Sequence, residues 1–167
     1  MIDVKGGLRE HIEGISRVCS EGCLDTYEGI RSPENIKRNN KIFYNHNRIC
    51  RELDEADGWD GYFVALDGGA VVGAIGGGMI DEDKSEVYVL YLDPDRRGEG
   101  IGTQLLNHLT DIQCKKGSKE QWVSVQKGNY KGIPFYEARN FNFVYEKEAY
   151  SNAEGEDYIS LRYRRSI

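Results

Sequence analysis

The segment with the clearest chemistry is Arg97-Gly98-Glu99-Gly100-Ile101-Gly102-Thr103. Its glycines let the backbone come close to a ligand, and a helix that starts here presents unpaired N–H groups. Such a place favours a phosphate, through hydrogen bonds and through the positive end of the helix dipole. A dinucleotide fingerprint would start at Gly98 and Gly100, but it needs a third glycine or small residue at Thr103 and an acidic residue about 20 positions further on. A phosphate-binding P-loop needs a lysine directly after its last glycine, and none of the glycines here is placed for it. The glycines therefore point to a phosphate-bearing ligand of another kind.

The elements around this loop must position it. Glu86 to Leu92 reads as a strand in which Val87, Val89 and Tyr91 alternate with Tyr88, Leu90 and Leu92. Both faces are apolar, as in a central strand covered on both sides. Asp93-Pro94 ends it. Gly100 to Lys116 reads as an amphipathic helix with Ile101, Leu105, Leu109 and Ile112 on one stripe, closed by Gly117. Before this unit the pattern predicts a strand at Ile2 to Val4 and helices from Leu8 to Ser20 and from Ser32 to about Asp54. A hairpin of Gly61–Leu66 and Ala70–Ile80 then turns at Asp67-Gly68-Gly69. Gly76-Gly77-Gly78 inside that hairpin marks either a bulge or the close approach of a ligand. After the unit come a strand at Gln121–Val125 and a short helix at Pro134–Arg139 that Asn140 can cap in the left-handed conformation. Two alternating strands follow, Phe141–Glu148 and Tyr158–Arg164. The expected fold class is α/β: a mixed, mostly antiparallel central sheet flanked by helices, in one domain over residues 1–167.

Arg97-Gly98-Glu99-Gly100-Ile101-Gly102 resembles the [Q/R]-x-x-G-x-[G/A] motif of the GNAT superfamily of N-acetyltransferases. Leu90-Tyr91-Leu92-Asp93-Pro94 upstream, and Val123-Ser124-Val125, Asn129 and Phe135-Tyr136-Glu137 downstream, are similar to that family's strand end, second strand, asparagine and Phe-Tyr helix. Asn140-Phe141 stands where Gly-Phe is common. Gly132 stands where alanine is common, which would delay the short helix to Pro134.

The resemblance implies the acyl-CoA N-acyltransferase fold, with acetyl-CoA as cosubstrate and no metal. The pyrophosphate would sit on the amides of Arg97, Gly98, Glu99, Gly100, Ile101, Gly102 and Thr103. The pantetheine arm would run along Leu90, Tyr91 and Leu92 and touch Asn129. Tyr136 takes the position of the acid that protonates the leaving thiolate. The alternative for Tyr136 is a ring packed under the cofactor. An alkylamine has a pKa of about 10.4 and must lose a proton before it attacks. Glu86 on the central strand is the leading candidate base, against the plainer reading of a strand-end charge, and Asp60 is a weaker one. A backbone N–H near Leu90 would stabilise charge on the carbonyl oxygen. The expected reaction is acetyl transfer to a primary amine by direct attack. The alternative is a non-catalytic acyl-CoA-binding module.

Composition narrows the partners. The net charge is −6, which argues against nucleic acid and tilts the acceptor towards a small cationic amine, with a peptide or protein amine also open. No apolar run reaches the roughly 18 residues of a membrane span, and no leader pattern is visible at the N-terminus, so a cytoplasmic protein is expected. Cys19, Cys23, Cys50 and Cys114 lack zinc-site spacing and read as structural thiols. His11, His46 and His108 do not cluster; the first two fall on predicted outer helices. Tyr27 and Tyr62 are candidates for a substrate cleft. Edge strands near the C-terminus make a homodimer plausible.

Overall fold

The computed structural model describes residues 1–167. Seven strands form one sheet: β1 (Ile2–Gly6), β2 (Tyr62–Asp67), β3 (Ala70–Met79), β4 (Lys84–Leu92), β5 (Glu120–Gln126), β6 (Asn142–Glu148) and β7 (Ile159–Ser166). Their order is β1-β2-β3-β4-β5-β7-β6, and only the β4–β5 pair is parallel. The parallel pair follows from its connection, because α4 (Ile101–Lys115) carries the chain back across the sheet before β5. Between β2 and β3 the predicted tight turn is present. Gly68 and Gly69 have φ of 58° and 86°, the mirror-image turn that matches strand twist.

Both faces of the sheet are covered, as the central strand implied. On one face Leu105, Leu106 and Leu109 of α4 pack with Val72, Ile75, Val87 and Val123. On the other, Ile15, Val18 and Cys19 of α1 (Ile12–Tyr27) and Ile49 of α3 (His46–Glu52) pack with Val64, Val71, Ala74 and Val89. No helix is long and apolar enough to cross a membrane.

Three expectations are corrected. The first helix starts later and runs to Tyr27, behind a 3₁₀ turn at Arg9–His11. His11 is buried, not on an outer face, and its Nδ1 accepts the Leu8 N–H at 3.0 Å. The long helix predicted to reach Asp54 is two helices, α2 (Pro33–Phe43) and α3. Asn45 interrupts it by accepting the Arg48 N–H and starting a new helix. The predicted Ser32 cap and Pro33 entry to α2 are both present.

The third correction concerns β4. Regular alternation would put Val87, Val89 and Tyr91 on one face. Instead Gly76 pairs with Val89 and Gly77 with Val87, so Tyr88 is an extra residue and the strand bulges there. The bulge reverses the facing. Val87 packs with α4, whereas Val89 and Tyr91 pack with α1.

The glycine triplet has a second cause. A Cβ on Gly78 would sit 1.8 Å from the Gly58 carbonyl oxygen, and one on Gly76 would sit 2.2 Å from the Trp59 ring. The close approach is made by this chain's own loop, which also hydrogen-bonds Asp60 N–H to Gly77 O at 2.7 Å. Gly78→Ala is therefore expected to displace the Trp59 loop and cost about 1–3 kcal/mol, seen as a lower thermal midpoint. An unchanged midpoint would mean that the loop shifts freely.

Candidate functional site

The bulge at Tyr88 also decides where the sheet opens. Pairing between β4 and β5 runs from Lys84↔Glu120 to Val87↔Val123 and stops. Beyond it the two strands part, and the β4 edge from Val89 to Leu92 has no strand beside it. The gap is a slot of about 150 Å³. Leu90, Tyr91 and Leu92 form one wall; Val125, Asn129, Phe135 and Tyr136 form the other. Arg97 and Gly102 close one end and Tyr27 covers the slot from α1.

At that end lies the glycine loop. Gly98 and Gly100 have φ of 82° and 80°, and Gly100 is the residue from which α4 starts. None of the backbone N–H groups from Arg97 to Thr103 donates to another part of the chain. They form a row of free donors at the positive end of a four-turn helix. Side chains clear the way. Ile101 is wholly buried, and Glu99 is turned back by Arg96, whose Nε lies 2.8 Å from it. That guanidinium holds the Glu99 carboxyl below its ordinary pKa. Thr103 Oγ1 accepts from Arg139. Arg97 and Lys131 both reach Asp25 on α1, at 3.2 and 2.7 Å, across the mouth of the slot.

The short helix α5 (Gly132–Glu137) starts at Gly132, not at Pro134 as the sequence suggested. Asn129 explains both points. Its Oδ1 accepts the N–H groups of Lys131 and Gly132 at 3.1 and 2.8 Å, and a Cβ on Gly132 would lie 2.5 Å from its Nδ2. The start of α5 holds Tyr136 against the slot, with its ring edge-on to Phe135 and Phe141. Asn140 caps the segment at φ 70°, as expected. Burial pushes the Tyr136 phenol above its ordinary pKa, with Tyr27 adding to the shift, so it stays protonated.

A second cleft, of about 500 Å³, lies between α1, α2, α3 and the sheet. It is strongly aromatic, with Tyr27, Phe43, Tyr44, Trp59, Tyr62 and Tyr91 among its walls. Both tyrosines singled out from the sequence, Tyr27 and Tyr62, line it. Cys23 also lines it, but burial pushes its thiol up to about 12, so it is an inert wall. The slot and the cleft share a rim formed by Tyr27, Val87–Val89, Tyr91 and Ser124. The Tyr27 and Tyr91 hydroxyls meet there at 3.0 Å.

Glu86 lines the larger cleft, not the slot, and is clasped by Arg162, whose Nη1 and Nη2 lie 2.5 and 3.0 Å from its two oxygens. Asp60 belongs to neither cavity. It is buried against Lys116 at 2.6 Å and Gln113 at 3.1 Å, so the weaker base candidate has a structural role instead. His108 packs on Phe63, and His46 is exposed. Sequence reasoning missed Trp59, Tyr44 and Arg31, all in the larger cleft. Nothing in their local spacing marks them, because they come from three separate segments.

Comparisons with known proteins agree with this geometry. The profile of the Acetyltransferase (GNAT) family matches residues 25–143. A spermidine N(1)-acetyltransferase of Thermoplasma acidophilum is 28% identical over 152 residues, covering 90% of this chain and 89% of that protein. A ribosomal-protein-alanine N-acetyltransferase of Escherichia coli is 35% identical over 60 residues, covering 36% of this chain and 40% of its own length. An uncharacterised N-acetyltransferase of Methanocaldococcus jannaschii is 34% identical over 97 residues, which span 53% of this chain and 41% of that one. The chain thus spans about two-fifths of the length of these last two relatives. The crystal structure of PaiA N-acetyltransferase from Thermoplasma acidophilum, in complex with coenzyme A, superposes with a TM-score of 0.83. It is 25% identical and covers 100% of this chain and 99% of that one. The family's sequence pattern runs through the opened sheet and the glycine loop, and its fold through the whole chain: the protein belongs to the GNAT family of acetyltransferases.

Proposed function

We propose that this chain transfers an acetyl group from acetyl-CoA to a primary amine. The observation that carries the reading is the shared rim. One cavity fits an extended arm with a phosphate cradle at its far end, and it meets a second, aromatic cavity at a single opening. A coenzyme A thioester supplies an activated acyl carbon, and the slot fits it. The loop amides from Arg97 to Thr103 would hold the pyrophosphate. The open β4 edge at Leu90, Tyr91 and Leu92 would pair with the pantetheine amides as an added strand does, with Asn129 on the other side. The relatives' names, a spermidine and a ribosomal-protein alanine N-acetyltransferase, both describe acceptors that are amines.

The acceptor enters from the larger cleft, whose aromatic faces suit an alkylammonium group. A C–N bond forms and the C–S bond breaks; the ammonium gives up one proton before it attacks and a second as the amide forms, and the sulfur takes one of the two while the other leaves to water. Glu86 is assigned to draw the proton from the ammonium through a water, its two oxygens keeping lone pairs beyond those that Arg162 uses. Tyr136 is assigned to donate a hydrogen bond to the sulfur as it leaves. The aromatic walls fit the ammonium end of the small amine favoured from the net charge.

The test is thiol release from acetyl-CoA with primary amines, in the wild type and in Glu86→Gln, across pH. The wild type should release thiol only with amine present. Glu86→Gln should be slower by about 10- to 100-fold near neutrality and converge on the wild type near pH 10, where the amine is already neutral. A uniform loss at every pH would make Glu86 merely structural. Acetyl-CoA binding without thiol release from any amine would favour a binding module.

A further inference from the structure

The larger cleft has an uneven distribution of charge. Its two carboxylates, Glu52 and Glu86, are both taken by guanidinium groups: Arg48 Nε lies 3.1 Å from Glu52, and Arg162 clasps Glu86. Its other two cations, Arg31 and Lys147, form no ion pair. The carboxylates beside Trp59, Tyr62 and Tyr88 are thus neutralised, whereas Arg31 and Lys147 keep their charge; Lys147 lies across Ser160 from Gln126, the residue that binds Arg31. This polarity opposes a simple polycation lying along it.

Arg31 is also held as a binding group is held. Its guanidinium stacks on the Tyr27 ring at 4.4 Å. Its Nε and Nη2 both donate to Gln126 Oε1, at 2.8 and 2.6 Å, and Nη1 reaches Ser151 Oγ at 3.4 Å. A guanidinium has five N–H donors. One donor on each terminal nitrogen is left over, and every acceptor that fixes the group is neutral. Such a cation, fixed in place without a counterion, suits a carboxylate, which takes two parallel hydrogen bonds from one guanidinium.

We propose that the acceptor is amphoteric: a primary amine that also carries a carboxylate. Arg31 and Lys147 hold the carboxylate, and the amine reaches the rim beside Tyr27 and Glu86. This rests on the reading of the larger cleft as the acceptor site. It makes Arg31 a specificity-determining residue.

The test uses three matched series with chains of two to six carbons, each bearing one primary amine and ending in methyl, in carboxylate or in a second ammonium. Pentylamine, 5-aminopentanoate and 1,5-diaminopentane are one such set. Thiol release gives kcat/KM, and quenching of tryptophan fluorescence in the coenzyme A-loaded protein gives binding apart from catalysis. At the best chain length the carboxylate member should exceed the methyl member by about tenfold or more, the range of one charge-assisted pair. Arg31→Gln and Lys147→Gln should each shrink that ratio, and Arg31→Lys should keep part of it. Lys147 lies on an exposed strand, so its variant tests the idea even if Arg31→Gln fails to fold. Preference for methyl or for the second ammonium, a ratio that Arg31→Gln and Lys147→Gln leave unchanged, or no quenching by any carboxylate member would each overturn the proposal. Quenching by carboxylates without thiol release would support the site while refuting acetyl transfer.

Discussion

Replacing Gly100 with glutamate should weaken acetyl-CoA binding by about a hundredfold or more while the protein stays folded. Two effects act together. Gly100 has φ of 80°, a conformation that costs an L-residue about 1–2 kcal/mol. A new carboxylate would also stand where α4 begins, beside the free amides that would otherwise receive the pyrophosphate. That carboxylate would compete for the same amides and repel the pyrophosphate. The fold survives because a Cβ at Gly100 meets no atom within 4 Å. Gly100→Ala separates the two effects, since it adds the strain without the charge and should lose far less affinity. Calorimetric titration with acetyl-CoA reads the binding and a thermal melt reads the fold. Equal affinity of wild type and Gly100→Glu would remove the loop as the pyrophosphate site.

Tyr136→Phe should lower kcat by about a hundredfold with little change in acetyl-CoA affinity. The ring is held by edge contacts to Phe135 and Phe141 that phenylalanine keeps. Only the hydroxyl is lost, and the ring contacts that hold the side chain in place remain. The pH profile supplies the second arm. Burial raises the Tyr136 pKa, so the phenol remains protonated as pH rises through its ordinary value near 10. The wild-type rate should therefore climb as the amine becomes neutral and show no fall up to about pH 10. A falling limb near pH 8 or 9 would point to a different donor. Unchanged turnover in the variant would leave Tyr136 as a packing residue under the slot.

How far the sequence reached can be judged element by element. The unit from Glu86 to Asn140 was legible because its signals are local. A strand end marked by Asp93-Pro94, glycines at a helix start and an apolar stripe on α4 are each read within a few residues. So were the Gly68-Gly69 turn, the Ser32 cap and the left-handed Asn140. The break between α2 and α3 was not legible, because apolar residues continue across Asn45 at spacings that a single helix would also show. The β4 bulge was hidden for a similar reason. Val87, Val89 and Tyr91 alternate cleanly on paper, and only the pairing with Gly76 and Gly77 shows that Tyr88 is one residue too many.

The sequence by itself determined the sheet's central strand, the glycine loop from which α4 starts and the place of Tyr136 on the short helix, since each depends on residues close together in the chain. The tertiary structure alone decided where the sheet opens, which carboxylates are already paired, and what lines the larger cleft. Glu86 and Arg162 are 76 residues apart, and Asp60 and Lys116 are 56. Arg31, Trp59 and Lys147 share a cavity only because the loop after α1, the loop before β2 and the last hairpin converge on one face of the sheet. Ion pairing and cavity charge depend on distance in space, and a linear pattern carries that distance only for near neighbours.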